Sequence, residues 1–348
     1  MNSDPVGDYL GDFYPVNEFP ALEAQYRRWR ETRPLAGVRV LDATPLFRNT
    51  LAKHRALLAA GARLTIGTSD EILFSPEAAA KLAEWGIARI HNAITSEQFD
   101  VILDCGGVHS RLLPRLGFAE LTRSGVPRFT GTALPVVSID DSRLKLSETV
   151  LGTGDGFVRA MKQLGYGDFG GRRVVVFGGG KVGSGIALAL RSAGTLPVIV
   201  DELSRWREFA GVRWLDRADR AAVRREVAGA WCAVTATGVA GALAEYQLET
   251  VIDSPVLLAN MGVEDEFGPA IPGSRVLNDK KPLNFLLDEP TRMAYIDPVM
   301  ALSNLAAVLL VSGRMPPGIS PPPPEAEAEI IDSVRRGGVI AAELEEFL

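Results

Sequence analysis

The chain is poor in the residues that hold metals and disulfides, with two cysteines, Cys105 and Cys232, and three histidines in 348 residues. Two thiols cannot build a disulfide framework, and no Cys/His cluster stands at metal-ligand spacing, so no metal is expected. Positive charge is also scarce: 37 Lys and Arg against 43 Asp and Glu leave a formal charge of -6. That balance argues against nucleic acid as a partner, because gripping a phosphate backbone requires clustered cations. No apolar run approaches the roughly 20 residues that span a bilayer, so no membrane partner is expected. Residues 1–10 carry Asp4 and Asp8 where a secretory leader has a basic region and then an apolar one. The expected setting is the cytoplasm.

What the chain does have is apolar mass, 47% of its residues, enough at this length for two separate cores. Residues 37–43 (GVRVLDA) read as a buried strand, and 46–60 as a helix with Phe47, Leu51, His54 and Leu58 on one face. A strand at 62–67, a helix at 76–85 and a strand at 99–104 ending in Gly106-Gly107 continue the alternation. One α/β domain is expected over 1–154. A second alternation opens with a helix at 155–165, then a strand at 173–177, a helix at 182–193 and a strand at 196–200. Further strands are expected at 231–235 and 256–259, giving a second domain over 155–296. Asp297 and Pro298 read as the acidic cap and first-turn proline of a mostly buried helix over 297–310. That helix returns the chain, over 297–348, to the first domain. Residues 316–324 read as extended, and 325–336 as a charged surface helix. The fold class is α/β, with two doubly wound parallel-sheet domains.

Residues 172–185 (RRVVVFGGGKVGSG) run strand, glycine turn, helix, the context that a dinucleotide fingerprint requires. In it Gly178 makes the tight turn, Gly180 lets the backbone approach a pyrophosphate, and Gly183 permits close helix–strand packing. The helix N-terminus at Lys181 and Val182 suits the negative charge. Asp201 follows Gly180 by 21 residues, at a strand end where a carboxylate accepts both ribose hydroxyls and repels a 2′-phosphate. These features point to NAD over NADP. The alternatives are a glycine turn used for packing alone, and Asp201 as the cap of a helix over residues 204–207.

Beyond this motif the chain carries LLAAGA ending at Ala62, ILDCGG at 102–107, PVVSIDDSRLK at 135–145 and TATG at 235–238. Asn260-Met261-Gly262, Pro282-Leu283-Asn284, and Asp297-Pro298 followed by Ser303-Asn304 complete the series. In order and spacing it resembles the S-adenosylhomocysteine hydrolase superfamily from about residue 36 to 335. The resemblance implies an NAD domain inserted into a substrate domain, and a homo-oligomer acting on a small molecule. It implies that Gly178, Gly180, Gly183, Thr235, Ala236, Thr237, Asn260 and Asn284 contact NAD. It also implies that Lys145 serves the redox step at a substrate hydroxyl, with Glu148 within one residue of the family's catalytic aspartate. Departures gather where the family holds substrate. Pro45-Leu46-Phe47 stands for its His-Met-Thr, Cys105 for the second Asp of Asp-Asp-Gly-Gly, Val263 for the His of Asn-x-Gly-His, and Asp297 for that of His-Pro. Cleavage of adenosylhomocysteine is therefore not expected.

The remaining polar residues keep two readings each. His54, on an apolar stripe, reads as a satisfied core histidine before a catalytic one. His109 follows the strand-end loop of Asp104 and Cys105, where ligands gather in parallel sheets, so it is a catalytic candidate beside a structural one. Cys105 is a nucleophile candidate or a small buried thiol. Arg48 could clamp a substrate carboxylate or lie solvated, with Asn49 beside it. Asp297 is a substrate residue or the cap of its helix. Glu264–Glu266, Lys280 and Lys281 read as solvated loop charges. The expected activity is NAD-dependent hydride transfer from a hydroxyl- or amine-bearing carbon. A non-catalytic NAD sensor and a nucleoside-processing enzyme are the alternatives.

Overall fold

Val40-Leu41 and Val101-Ile102-Leu103 are buried without alternation, as strands are when helices cover both faces of a parallel sheet. They belong to the first of two units in the computed structural model, which describes residues 4–206 and 210–347. This unit joins the chain up to Ser147 to the chain from Arg292 onward. With numbers running along the whole chain, its strands are β1 (Arg39–Asp42), β2 (Arg63–Thr68), β3 (Ala88–His91), β4 (Val101–Asp104), β5 (Gly117–Glu120), β6 (Pro135–Ser138) and β13 (Gly318–Ser320). They pair in parallel in the order β13-β6-β5-β4-β1-β2-β3, with connections diverging between β4 and β1. The expected strands are β1, β2 and β4. β13, itself free of proline, lies in the proline-rich stretch read only as extended and forms one edge of the sheet.

The helices of this unit are α1 (Pro5–Gly11), α2 (Pro20–Thr32), α3 (Thr50–Ala59), α4 (Pro76–Glu84), α5 (Arg143–Ser147), α9 (Met293–Val311), α10 (Pro324–Arg335) and α11 (Ala341–Phe347). α9 corrects two expectations. It begins at Met293 after the extended Arg292, so Asp297 and Pro298 lie inside it and Asp297 does not cap it. Pro298 removes one helical N–H, a loss that burial of nearly the whole helix outweighs. At 19 residues α9 also approaches bilayer-spanning length, yet 83% of its most apolar window is buried, as in a core helix packed on β4, β5, α2 and α3.

The second unit is the continuous stretch Glu148–Thr291. Its strands are β7 (Arg173–Phe177), β8 (Leu196–Asp201), β9 (Arg213–Asp216), β10 (Cys232–Thr235), β11 (Leu257–Asn260) and β12 (Leu277–Pro282). Their order, β12-β11-β10-β7-β8-β9, all parallel, is the doubly wound dinucleotide-binding order 3-2-1-4-5-6 read from the other edge. Helices α6 (Thr153–Gln163), α7 (Lys181–Ser192) and α8 (Arg220–Ala228) cover it. Phe157, Val176, Ile186 and Ile199 pack on one face, Val175, Phe177, Val223 and Leu258 on the other. The chain leaves the first unit at 147/148, ahead of the expected 154/155, because the π-helical turn Glu148–Gly152 and α6 pack against α7. It returns at 291/292, ahead of the expected 296/297, because α9 starts at Met293 and packs on β4, β5, α2 and α3.

Candidate functional site

β7 ends at Phe177, and the chain turns through Gly178 at φ +97° into α7. A Cβ on Gly178 would lie 2.5 Å from the Ala236 carbonyl oxygen, and one on Gly183 only 1.9 Å from that of Gly178, so neither position admits a side chain. A Cβ on Gly180 would meet nothing within 4 Å. It faces a cavity of about 290 Å³, shared with Gly178, Asp201, Ala236 and Thr237. α7 starts at Lys181, with Val182 partly buried against the core, and has no capping side chain. Such a helix N-terminus attracts an anion.

Asp201 closes β8 beside this loop. Its Oδ2 accepts the Gly179 N–H at 2.7 Å and its Oδ1 the Glu202 N–H at 2.7 Å, and each oxygen retains a lone pair for a hydroxyl donor. Leu203–Arg205 is a 3-10 turn, so Asp201 begins no helix there, and Arg207 lies outside the described residues. Arg205, Arg217 and Tyr246 also line the cavity and were not anticipated, since no motif spacing connects them to the glycine loop. Burial pushes the Tyr246 hydroxyl up to about 12, and it donates to the Arg217 carbonyl at 3.3 Å.

Thr235 and Asn260 are not among the residues that line the cavity. The Thr235 hydroxyl donates to Asn260 Oδ1 at 2.8 Å, while Asn260 Nδ2 donates to the carbonyls of Gly262, Glu264 and Lys280. This amide also accepts the Gly262 N–H, which commits its bonding capacity to the protein. It anchors three consecutive left-handed residues, Asn278, Asp279 and Lys280, a conformation that costs energy without glycine. Asn284 packs against Gly156, whose Cβ would lie 3.2 Å from its own. Glu266 corrects the reading of a solvated charge. It is fully buried, accepts the N–H and hydroxyl of Thr237 at 2.8 Å each, and accepts the Gly238 N–H at 2.7 Å. Lys280 is likewise engaged, by Asp265 and the Gly268 carbonyl, whereas Glu264 and Lys281 are exposed.

In the first unit, acids close three adjacent strands: Asp42 on β1, Asp104 on β4 and Glu120 on β5. Burial opposes ionisation of Asp42, but Lys53 and His54 outweigh it and hold the carboxyl below the usual range. The fully buried Lys53 bonds Asp42 Oδ2, and burial lowers its own pKa. His54 Nε2 is 3.4 Å from the same oxygen. His54 is therefore a core residue, but among the described residues neither ring nitrogen has a hydrogen bond, so it is buried without being satisfied. Asp104 Oδ1 accepts the Cys105 N–H at 2.9 Å and lies 3.2 Å from His109 Nδ1, and Oδ2 accepts the His109 N–H at 2.9 Å. Glu120, its carboxyl pKa raised by burial, accepts the N–H groups of Gly106 and Gly107 at 3.0 Å.

The structure thus gathers Asp104, Cys105 and His109, while other expected substrate residues serve the scaffold. Arg48 pairs with Glu77 at 3.0 Å and stacks 4.0 Å above the Phe13 ring, so it is neither a solvated arginine nor an open clamp. Asn49 is buried where α3 begins. Asp297 accepts the N–H groups of Ala21 and Leu22, at 3.0 and 2.9 Å, and so caps α2 rather than its own helix. Lys145 is half-buried on α5, whose first N–H groups donate to Glu327 of α10, and Glu148 opens the π-helical turn. Among the described residues no cluster of His, Cys, Asp and Glu suits a metal.

No family model matches the chain. It is 29% identical over 282 residues to the S-inosyl-L-homocysteine hydrolase of Methanopyrus kandleri, covering 71% of this chain and 64% of that protein. It is 28% identical over 227 residues to the adenosylhomocysteinase of Pyrococcus abyssi, covering 56% and 52%. For that of Sulfolobus acidocaldarius the identity is 29% over 275 residues, covering 70% and 64%. The matched region thus spans between about half and two thirds of each relative's length. Among solved structures, a dipicolinate synthase polypeptide from Bacillus halodurans shares the fold at a TM-score of 0.50 and 11% identity, over 79% of this chain and 98% of that one. The Bacillus subtilis counterpart also scores 0.50, at 12% identity, over 80% and 98%. At 28–29% identity to these enzymes, the chain is a divergent relative of the adenosylhomocysteinase superfamily.

Proposed function

We propose that this chain is an NAD-dependent enzyme that removes hydride from a hydroxyl- or amine-bearing carbon of a small metabolite, and that it does not hydrolyse adenosylhomocysteine. The observation that carries this reading is the cavity where Gly180 leaves its space open and Asp201 stands at the neighbouring strand end. Gly178, Gly180, Lys181 and Val182 would hold the pyrophosphate through backbone N–H groups, and Asp201 the adenosine ribose. When bound, NAD supplies a hydride acceptor. Lys145 would orient the substrate hydroxyl and carry its proton, with Glu148 as a second acid–base group. Pro45, Phe47, Cys105 and Val263 replace polar groups of the family, and unmatched buried substrate groups would each cost about 1–3 kcal/mol, which opposes adenosylhomocysteine.

Calorimetry with each dinucleotide tests the cofactor. NAD should bind far more tightly than NADP, and Asp201→Asn should erode the preference by roughly 1–3 kcal/mol. Equal affinities in the parent protein would remove the assignment, and robust homocysteine release from adenosylhomocysteine would remove the negative half. A non-catalytic NAD-binding role is the second reading, favoured by the engagement of Arg48 and Asp297 within the scaffold. Mass spectrometry of nucleotides and metabolites released on denaturation would identify a trapped substrate.

A further inference from the structure

Three polar groups in the first unit converge on one small cavity and find no hydrogen-bond partner among the described residues: Thr44 Oγ1, Ser69 Oγ and His109 Nε2. All three residues are more than nine-tenths buried. Protein interiors match buried polar atoms with partners, so three unmatched ones facing one space mark a place where another molecule completes the bonding. The cavity sits beyond the C-terminal ends of β1 and β2 and beside the loop after β4, at the switch point between β4 and β1 where parallel sheets bind ligands. Gly67, inside β2, keeps it open. A Cβ there would lie 3.0 Å from His109 Nε2 and 3.1 Å from the Ala43 Cβ.

The chemistry of the occupant follows from the charges around it. Asp104 accepts the backbone N–H groups of Cys105 and His109, which marks it as the acceptor toward His109 Nδ1 as well; with Nδ1 donating, Nε2 of the neutral ring presents a lone pair. Thr44 and Ser69 each offer a hydroxyl that donates or accepts. Among the described residues no lysine or arginine lines the cavity, and Asp104 stands behind the imidazole, so an anionic group is disfavoured. The free space, about 10 Å³, admits one water-sized group, and Pro45, Ile72 and Phe74 form apolar walls. We infer that Thr44, Ser69 and His109 bind one neutral hydroxyl group of a small polyol-type molecule. That hydroxyl donates to His109 Nε2 and, through its two lone pairs, accepts from both Thr44 and Ser69. The inference refines the hydroxyl-bearing substrate proposed above, but it rests on first-unit residues alone and stands whether or not the chain binds NAD.

The test follows the imidazole nitrogens by NMR, with the His109 signals assigned through His109→Gln, in protein with and without NAD. Glycerol and D-ribose are the neutral probes, and acetate and inorganic phosphate the anionic ones. Both neutral probes should shift the His109 signals saturably, leave the His54 signals in place, and do so without NAD. Thr44→Val and Ser69→Ala should each weaken the response roughly tenfold, the value of one hydrogen bond, without lowering the melting temperature. A falling melting temperature would show that these hydroxyls serve the fold. Tighter binding of acetate or phosphate would overturn the neutral class. No saturable shift with either neutral probe in the folded protein would leave a structural water as the occupant and overturn the site. Loss of NAD binding with the polyol response intact would count against the cofactor reading alone.

Discussion

Oδ1 of Asp297, deep inside α9, accepts the N–H of Leu22 in the first turn of α2 at 2.9 Å. Burial raises this carboxyl to about 7 even though two N–H donors favour its charged form. In the unfolded chain it would titrate near 3.8. The folded protein therefore keeps a proton that the unfolded chain has lost between these values, and stability from this group falls as pH rises from about 4 to about 7. The full span is on the order of 4 kcal/mol. Melting curves of the parent and Asp297→Asn should diverge across this window, the parent losing stability relative to the variant as pH rises. A constant difference would show that Asp297 titrates normally.

Asp42 and Lys53 form a buried ion pair, and its two halves should respond unequally to single and double replacement. Lys53→Met leaves a buried carboxylate with the Thr44 N–H and His54 but without its ammonium partner, and should destabilise the protein by about 3–5 kcal/mol in denaturant unfolding. Replacing both, as Asp42→Asn with Lys53→Met, should cost less than the sum of the single changes. Strict additivity would mean that the pair is not coupled.

Two glycines of one loop should separate binding from folding. Gly180 has extended backbone at φ -72° and open space at its Cβ, so Gly180→Val should fold normally and lose most NAD affinity. Gly183→Ala drives a methyl into the Gly178 carbonyl and should lower the melting temperature before any ligand is added. Calorimetry and thermal unfolding on both variants check this, and unchanged NAD affinity in Gly180→Val would move the cofactor away from this cavity.

Lys145→Ala should leave NAD affinity intact and slow turnover by roughly 10²–10⁴, the contribution of a positioned acid–base group. Lys145→Arg should not rescue it, because a guanidinium does not release its proton near neutrality. Single-turnover absorbance of the reduced nicotinamide, with cofactor occupancy measured separately, reads this out. Parental rates in Lys145→Ala would favour the non-catalytic reading.

The parallel sheets were legible because buried strands such as Arg173–Phe177 are short unbroken apolar runs between glycine turns. Ala88–His91 carries no such signal, since an exposed edge strand need not be apolar. The glycine loop was legible because its residue types are demanded by backbone geometry. The partners of Glu266, Lys280 and Asp297 were not, because each lies far along the chain or depends on how a loop folds back. A charged residue in a polar loop and one fully buried under it look the same until that geometry is known. The sequence marks His109 by its place after a strand-end loop but does not mark Thr44, Ser69 and Gly67, since only the adjacency of β1, β2 and β4 brings them to it.

The first sheet takes its edge strand, Gly318–Ser320, and its long core helix, Met293–Val311, from beyond the second unit. During synthesis, six of its seven strands leave the ribosome before the helix that covers β4 and β5 exists. The second unit, one continuous stretch, emerges complete in that interval. The nascent first sheet therefore waits with an apolar face uncovered, which makes this the period when the growing chain most needs a chaperone.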